Sequence, residues 1–200
     1  MPKLETSRKN LAEYITKPVI SLLAKTPLTP NIITIIGFII ILGAGALIIY
    51  KYFLAAGIVV LVAGLFDMLD GALARATNRI TRFGAVLDST LDRVSEAVLL
   101  ITLLAVFTQD GLVTESILSG AALVGSLLVS YIRARVEGLG VECKTGLFTR
   151  PERVIILSLG MMLSQFDKAL LITLAVLTFF SWLTVIERMV YAWRKLKEQV

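Results

Sequence analysis

The sequence predicts an all-α integral membrane protein with six transmembrane helices and an N-terminal interfacial amphipathic helix. Three observations predict it. First, 56% of the 200 residues are hydrophobic and 18% charged, with a mean hydropathy of +0.83, which is more apolar surface than a soluble fold of this length can bury. Second, the aliphatic residues stand in long blocks parted by short charged stretches, as in a polytopic membrane chain. Third, six spans with the amino terminus inside leave 18 of the 20 Lys and Arg on the cytoplasmic side, with only Lys51 and Lys168 outside, in keeping with the positive-inside bias. A net charge of +5 does not suggest a nucleic-acid partner, and the lone Cys143 has no disulfide partner within the chain. The chain has no His, which excludes an imidazole base and a His-ligated metal, so acid–base and metal chemistry falls to the 15 Asp and Glu.

In chain order, residues 1–25 mix Leu11, Tyr14, Ile15, Val19 and Ile20 with Arg8, Lys9, Lys17 and Lys25. That mixture suits a cytoplasmic juxtamembrane helix lying in the interface, a disordered lead being the alternative. Residues 26–200 are expected to form one membrane domain. Its first span, 26–50, has no charge between Thr26 and Tyr50 and easily crosses a hydrocarbon layer of ~30 Å at ~1.5 Å per residue. The next four apolar stretches reach spanning length when extended through the charged turns beside them, giving helices over 53–76, 83–108, 116–139 and 168–196. The weakest, 151–166, is the fifth span. The expected protein is a multi-pass cell-membrane protein with both termini in the cytoplasm.

The chain has six Asp, and four of them, Asp67, Asp70, Asp88 and Asp92, stand at the cytoplasmic ends of the second and third spans. A charge at the centre of a membrane helix costs about 2.5–3.5 kcal/mol on insertion scales, so such residues mark function. Asp67, Asp70, Gly71 and Ala74 share one helical face, and Gly84, Asp88 and Asp92 repeat at i, i+4 and i+8. Folded as an antiparallel pair through the short linker TNRITR, the two helices bring four carboxylates together, and divalent cations relieve their repulsion. All-oxygen ligation selects Mg²⁺ or Mn²⁺, and two ions at ~3.5–4 Å suit phosphoryl transfer. Gly71 and Gly84 leave room for a ligand to approach, although glycines are also common at membrane helix contacts, and Arg75 offers a phosphate fork. An ion transporter is the competing class, but it predicts acids spread through the depth of the bilayer.

The segment DMLDGALARATNRITRFGAVLDSTLD fits D-x-x-D-G-x-x-A-R-x8-G-x-x-x-D-x-x-x-D at all eight fixed positions. With its six spans the chain thereby resembles the CDP-alcohol phosphotransferases, integral membrane enzymes of phospholipid synthesis. The resemblance implies transfer of a phosphatidyl-type group from a CDP-linked lipid, CDP-diacylglycerol or a CDP-archaeol type donor, to an alcohol, with release of CMP. It implies that Asp67, Asp70 and Asp88 ligate metal and that Asp92 is both ligand and general base. It also implies contacts to the CDP part from Pro30, Asn31, Ile32, Ile33, Gly71, Arg75, Thr81 and Gly84, and a homodimer.

A second concentration of charge lies over 130–157, where Arg133, Arg135, Lys144, Arg150 and Arg153 face Glu137, Glu142 and Glu152. The bland reading is positive-inside topology and lipid head groups. A phosphorylated polyol acceptor explains more, since Arg150 and Arg153 open a helix whose dipole favours anions. S-Y-x-[KR]-A-R-x-E-G-L-G followed by G-L-x-x-R-x-E-R resembles the branch of the family that uses inositol phosphate, with glycerol phosphate the competing acceptor. Arg133, Arg135, Arg150 and Arg153 are the candidates to grip the acceptor phosphate. Glu96, one turn beyond Asp92, is either a support to the acids or half of an interhelical polar pair.

Overall fold

The computed structural model describes Ile20 and residues 27–143, 145–146 and 148–197. Apart from Ile20, the amphipathic segment expected over 1–25 lies outside the described residues. Among these residues there are six helices and no strand: α1 (Pro30–Ile49), α2 (Phe53–Ala76), α3 (Arg82–Gln109), α4 (Val113–Glu137), α5 (Arg150–Met162) and α6 (Ala169–Lys197).

Local chemistry sets most of the boundaries. Pro30 opens α1, where its missing N–H is no loss, and the Thr29 carbonyl receives the Ile32 amide at 3.0 Å. Lys51 ends this hairpin with φ 62°, and the Tyr52 amide closes on the Leu47 carbonyl at 2.9 Å. Asn78, at φ 53°, makes the turn after α2, and the Thr81 hydroxyl accepts the Gly84 amide at 2.9 Å to start α3. At α5 the Glu152 carboxylate reaches back to the Thr149 amide at 3.0 Å and to its hydroxyl, half of a capping box.

Four helices, α1, α2, α4 and α6, are long and apolar enough to cross a membrane. Large apolar side chains lie exposed along them, Ile39 at 58% and Phe179 at 64% among them, which suits contact with lipid. The other two expected spans differ for separate reasons. The 28 residues of α3 are long enough, but Asp88, Asp92, Arg93 and Glu96 all stand between its start and its middle turn. Only 13 residues form α5, or about 20 Å at ~1.5 Å per residue.

The chain divides into two compact units, Met1–Ile40 with Val62–Asp92 and Ile41–Leu61 with Arg93–Val200. Within the first, Ile33, Ala63 and Leu73 are buried. Gly37 lets α1 lie close to α2, since a Cβ there would stand 3.3 Å from that of Phe66. Within the second, α4 and α6 pack lengthwise, burying Val129, Ile132 and Val136 against Val185, Ala192 and Cys143. Small residues set its crossings. A Cβ on Gly57 would stand 2.6 Å from the Ser158 carbonyl oxygen, and one on Gly125 3.0 Å from the Ser181 Cβ.

Candidate active site

The first unit contains a cavity of about 260 Å³, walled by the start of α1, the last turns of α2, the turn after it and the first turns of α3. From α1 it takes Pro30, Asn31 and Thr34, the residues that i, i+1 and i+4 spacing puts on one face. Ile32 instead turns outward at 41% exposure and Ile33 is buried at 3%, so neither side chain reaches the space. Gly71, Arg75, Thr81 and Gly84 all line it, as do Asp70 and Asp88.

The polar contacts around the cavity are specific. Asp70, 5% exposed, accepts a hydrogen bond from the Thr34 hydroxyl at 2.6 Å. Both Asp88 and Asp67 lie within electrostatic range of Asp70, and Asp67 stands beside Gly37, its Oδ1 3.6 Å from where a Cβ would be. Asp92 is half-buried on α3, one turn past Asp88, and is not among the cavity-lining residues. The glycines are there for space. A Cβ on Gly84 would come within 2.8 Å of the Thr81 hydroxyl and 3.0 Å of the Asn31 carboxamide oxygen, and one on Gly71 within 3.4 Å of the Arg75 guanidinium.

Carboxylate and hydroxyl oxygens are the right donors for a hard divalent cation, and a cavity with two carboxylates and two arginines suits a ligand that brings both metal and phosphate. Among the described residues no three Asp, Glu, Cys or His are drawn together as a ready metal site. The acids therefore fit the cation in kind, with Asp70 and Asp88 facing one space from two helices.

The expected acceptor residues lie in the second unit. Arg133 is exposed and paired with Glu137 at 2.9 Å, Arg135 is exposed, and Arg150 is half-buried at the start of α5. Arg153 is 2% exposed and engages both oxygens of Glu96, at 2.6 and 2.8 Å, and the Phe148 carbonyl at 3.2 Å. Glu96 is thus half of an interhelical pair.

Four residues stand out beyond those the spacing singles out. Thr34 holds Asp70, and Arg79 and Ile80 line the cavity from the linker. Arg188, buried in α6, donates to the Thr145 carbonyl at 2.9 Å and to the Val129 carbonyl. A cation inside an apolar span is the signal that marks Arg188 in the sequence, whereas nothing in the sequence separates Thr34 from its apolar neighbours.

Comparison with known proteins extends over nearly the whole chain. An archaetidylinositol phosphate synthase from Methanothermobacter thermautotrophicus is 37% identical over 204 residues, covering 98% of this chain and 100% of that one. A phosphatidylinositol phosphate synthase from Mycobacterium tuberculosis is 38% identical over 205 residues, covering 96% and 92%. The crystal structure of an M. tuberculosis phosphatidylinositol phosphate synthase with CDP-DAG bound superposes with a TM-score of 0.81 at 36% identity, over 90% of this chain and 94% of that one. A second, in complex with manganese and citrate, also gives 0.81 at 36%, over 89% and 88%. With the CDP-alcohol phosphatidyltransferase family model matching residues 27–193, the chain belongs to that family.

Proposed function

We propose that this enzyme transfers a phosphatidyl-type group from a CDP-linked lipid to inositol phosphate and releases CMP. The observation that carries the reading is the cavity of the first unit, where Asp70, Asp88 and Arg75 of the signature face one space with Pro30 and Asn31. Its lining of carboxylates and arginines suits the pyrophosphate of a CDP-linked lipid donor. The acceptor follows from the second unit, where Arg133 and Arg153 lie within electrostatic range of Arg188. Three guanidinium groups set against Glu96 and Glu137 favour an acceptor that carries a phosphate of its own. Arg135 and Arg150 add to the same charge, and relatives named for inositol phosphate products support the choice of polyol.

Asp67, Asp70, Asp88 and Asp92 would hold divalent cations, two Mg²⁺ or Mn²⁺ ions. Bound there, such ions offset charge on the pyrophosphate and on departing CMP. The chain's own groups do the rest. Thr34 fixes the Asp70 carboxylate, Arg75 forks onto a phosphate, and Gly71, Thr81 and Gly84 let the nucleotide approach the backbone. Asp92 accepts the proton of the acceptor hydroxyl as that oxygen attacks the lipid-side phosphorus.

In the membrane we read α3 and α5 as crossing too, with Glu96 and Arg153 neutralising one another, which gives six spans over one domain, 26–200. Both termini and the cavity then face the cytoplasm, the arrangement that leaves only Lys51 and Lys168 outside. By family likeness the enzyme acts as a homodimer.

The test is CMP release by purified protein with CDP-diacylglycerol and Mg²⁺, comparing inositol phosphate, glycerol 3-phosphate, free inositol and serine. Release selective for inositol phosphate is expected, and release selective for glycerol 3-phosphate would replace the acceptor. Failure of every acceptor to give release, from ester and ether donors alike, would refute the enzyme. Mn²⁺ binding followed by electron paramagnetic resonance reads the metal site independently of turnover; Asp88→Asn should weaken it at least about tenfold, and equal binding would remove Asp88 from the ligands.

A further inference from the structure

Glu96 is the acid of α3 that the proposed chemistry leaves unused. It is 7% exposed, and Arg153 takes both of its oxygens, Nε to Oε1 at 2.6 Å and Nη2 to Oε2 at 2.8 Å. A two-point fork fixes the plane of a guanidinium in a way that one contact cannot. The direction of the remaining nitrogen, Nη1, is therefore set by Glu96, and that nitrogen donates to the Phe148 carbonyl at 3.2 Å.

Phe148 belongs to the connection between α4 and α5, which is non-helical where it is described. Its carbonyls are held by side chains from the helices. Arg188 takes that of Thr145 at 2.9 Å and Tyr191 that of Glu142 at 3.0 Å, both from α6. Gly146, at φ 126°, passes so near Arg188 that a Cβ would stand 2.8 Å from its Nε. Buried cations that serve as donors to a loop backbone cost desolvation unless an anion faces them. For Arg153 that anion is Glu96.

We propose that Glu96 is a positioning residue. Through Arg153 it fixes the α4–α5 connection, and with it the acceptor-binding arginines that flank it, to α3. This rests on the reading above that the acceptor phosphate meets the cations flanking that connection. In Glu96→Gln the fork fails, because the amide nitrogen would oppose a guanidinium N–H, donor to donor.

Steady-state CMP release by the full-length protein, with Mg²⁺, CDP-diacylglycerol and inositol phosphate, tests it. Glu96→Gln is expected to raise KM for inositol phosphate about tenfold, with kcat and KM for the donor within about twofold, as the loss of a charge-assisted contact outside the reacting atoms implies. An unchanged acceptor KM, or equal rises for both substrates, would overturn the proposal. Amide hydrogen exchange at Val141, Cys143, Thr145 and Phe148 needs no turnover. It should quicken at least about fivefold in Glu96→Gln while the middle of α6 keeps its protection; equal exchange in the two proteins would overturn the proposal as well. If the unaltered enzyme failed to release CMP with any of the acceptors, the functional reading would fall, and the exchange comparison would still decide whether Glu96 holds the loop.

Discussion

Replacing Thr34 by Val removes one hydroxyl from the cavity wall and leaves a β-branched side chain of similar shape. The hydroxyl has one proton and two acceptors in reach, Asp70 Oδ2 at 2.6 Å and the Pro30 carbonyl at 3.1 Å. The shorter bond, to a carboxylate, is the one that takes it. A hydrogen bond to a charged group contributes about 1.5–3 kcal/mol, and ~1.36 kcal/mol is tenfold in rate. With Thr34 6% exposed and Asp70 5%, water replaces the lost donor poorly. The expected result is a fall of about 10- to 100-fold in kcat/KM for CMP release, with Thr34→Ser close to the unaltered enzyme because it retains the hydroxyl. Initial rates against CDP-diacylglycerol give the value, and thermal unfolding in detergent shows that the fold is kept. A Thr34→Val enzyme within about threefold of the original, or a Thr34→Ser enzyme as poor as Thr34→Val, would show that this bond does not hold a catalytic carboxylate.

Two further substitutions separate chemistry from architecture. Asp92→Asn should reduce turnover at least about a thousandfold, the upper part of the range for general-base catalysis, while CDP-diacylglycerol binding measured by calorimetry stays within about threefold; substantial residual activity would take the base role from Asp92. Gly57→Ala puts a Cβ 2.6 Å from the Ser158 carbonyl oxygen and 3.1 Å from the Met162 amide nitrogen, so α2 and α5 must part. Overpacking of that kind costs about 1–3 kcal/mol, read as a lowered unfolding temperature, and an unshifted melt would mean that the crossing is looser than described.

Helix positions were legible because apolar runs and turn chemistry both report them. The expected 53–76 coincides with α2, and 83–108 falls one residue inside each end of α3. In α4, Thr114 and Glu115 look like loop by hydropathy yet suit a first helical turn, so the helix starts earlier than its apolar run. The placing of Asp70 with Gly71, and of Gly84 with Asp88, along one cavity was legible for a different reason: fixed spacing on a helix converts directly into a shared face. Spacing says nothing of a partner far along the chain. Asp70 and Thr34 are 36 residues apart and Glu96 and Arg153 are 57. From sequence alone Arg153 reads as a cation opening a helix toward the acceptor phosphate, while in the fold it is among the largest fully buried side chains.

The Glu96–Arg153 pair also has a consequence in time. A ribosome emits α3 well before α5, so the glutamate waits for a counter-ion that follows 57 positions later in the chain. A lone carboxylate deep in a membrane helix costs about 2.5–3.5 kcal/mol, and α3 carries more charge beside its apolar run than the four helices that qualify by themselves. Short, capped α5 is no better equipped to enter lipid alone. On the six-span reading proposed above, each helix brings the charge that makes the other tolerable, so the third and fifth crossings would be settled together, late in synthesis, after the more apolar α1, α2 and α4 have already emerged.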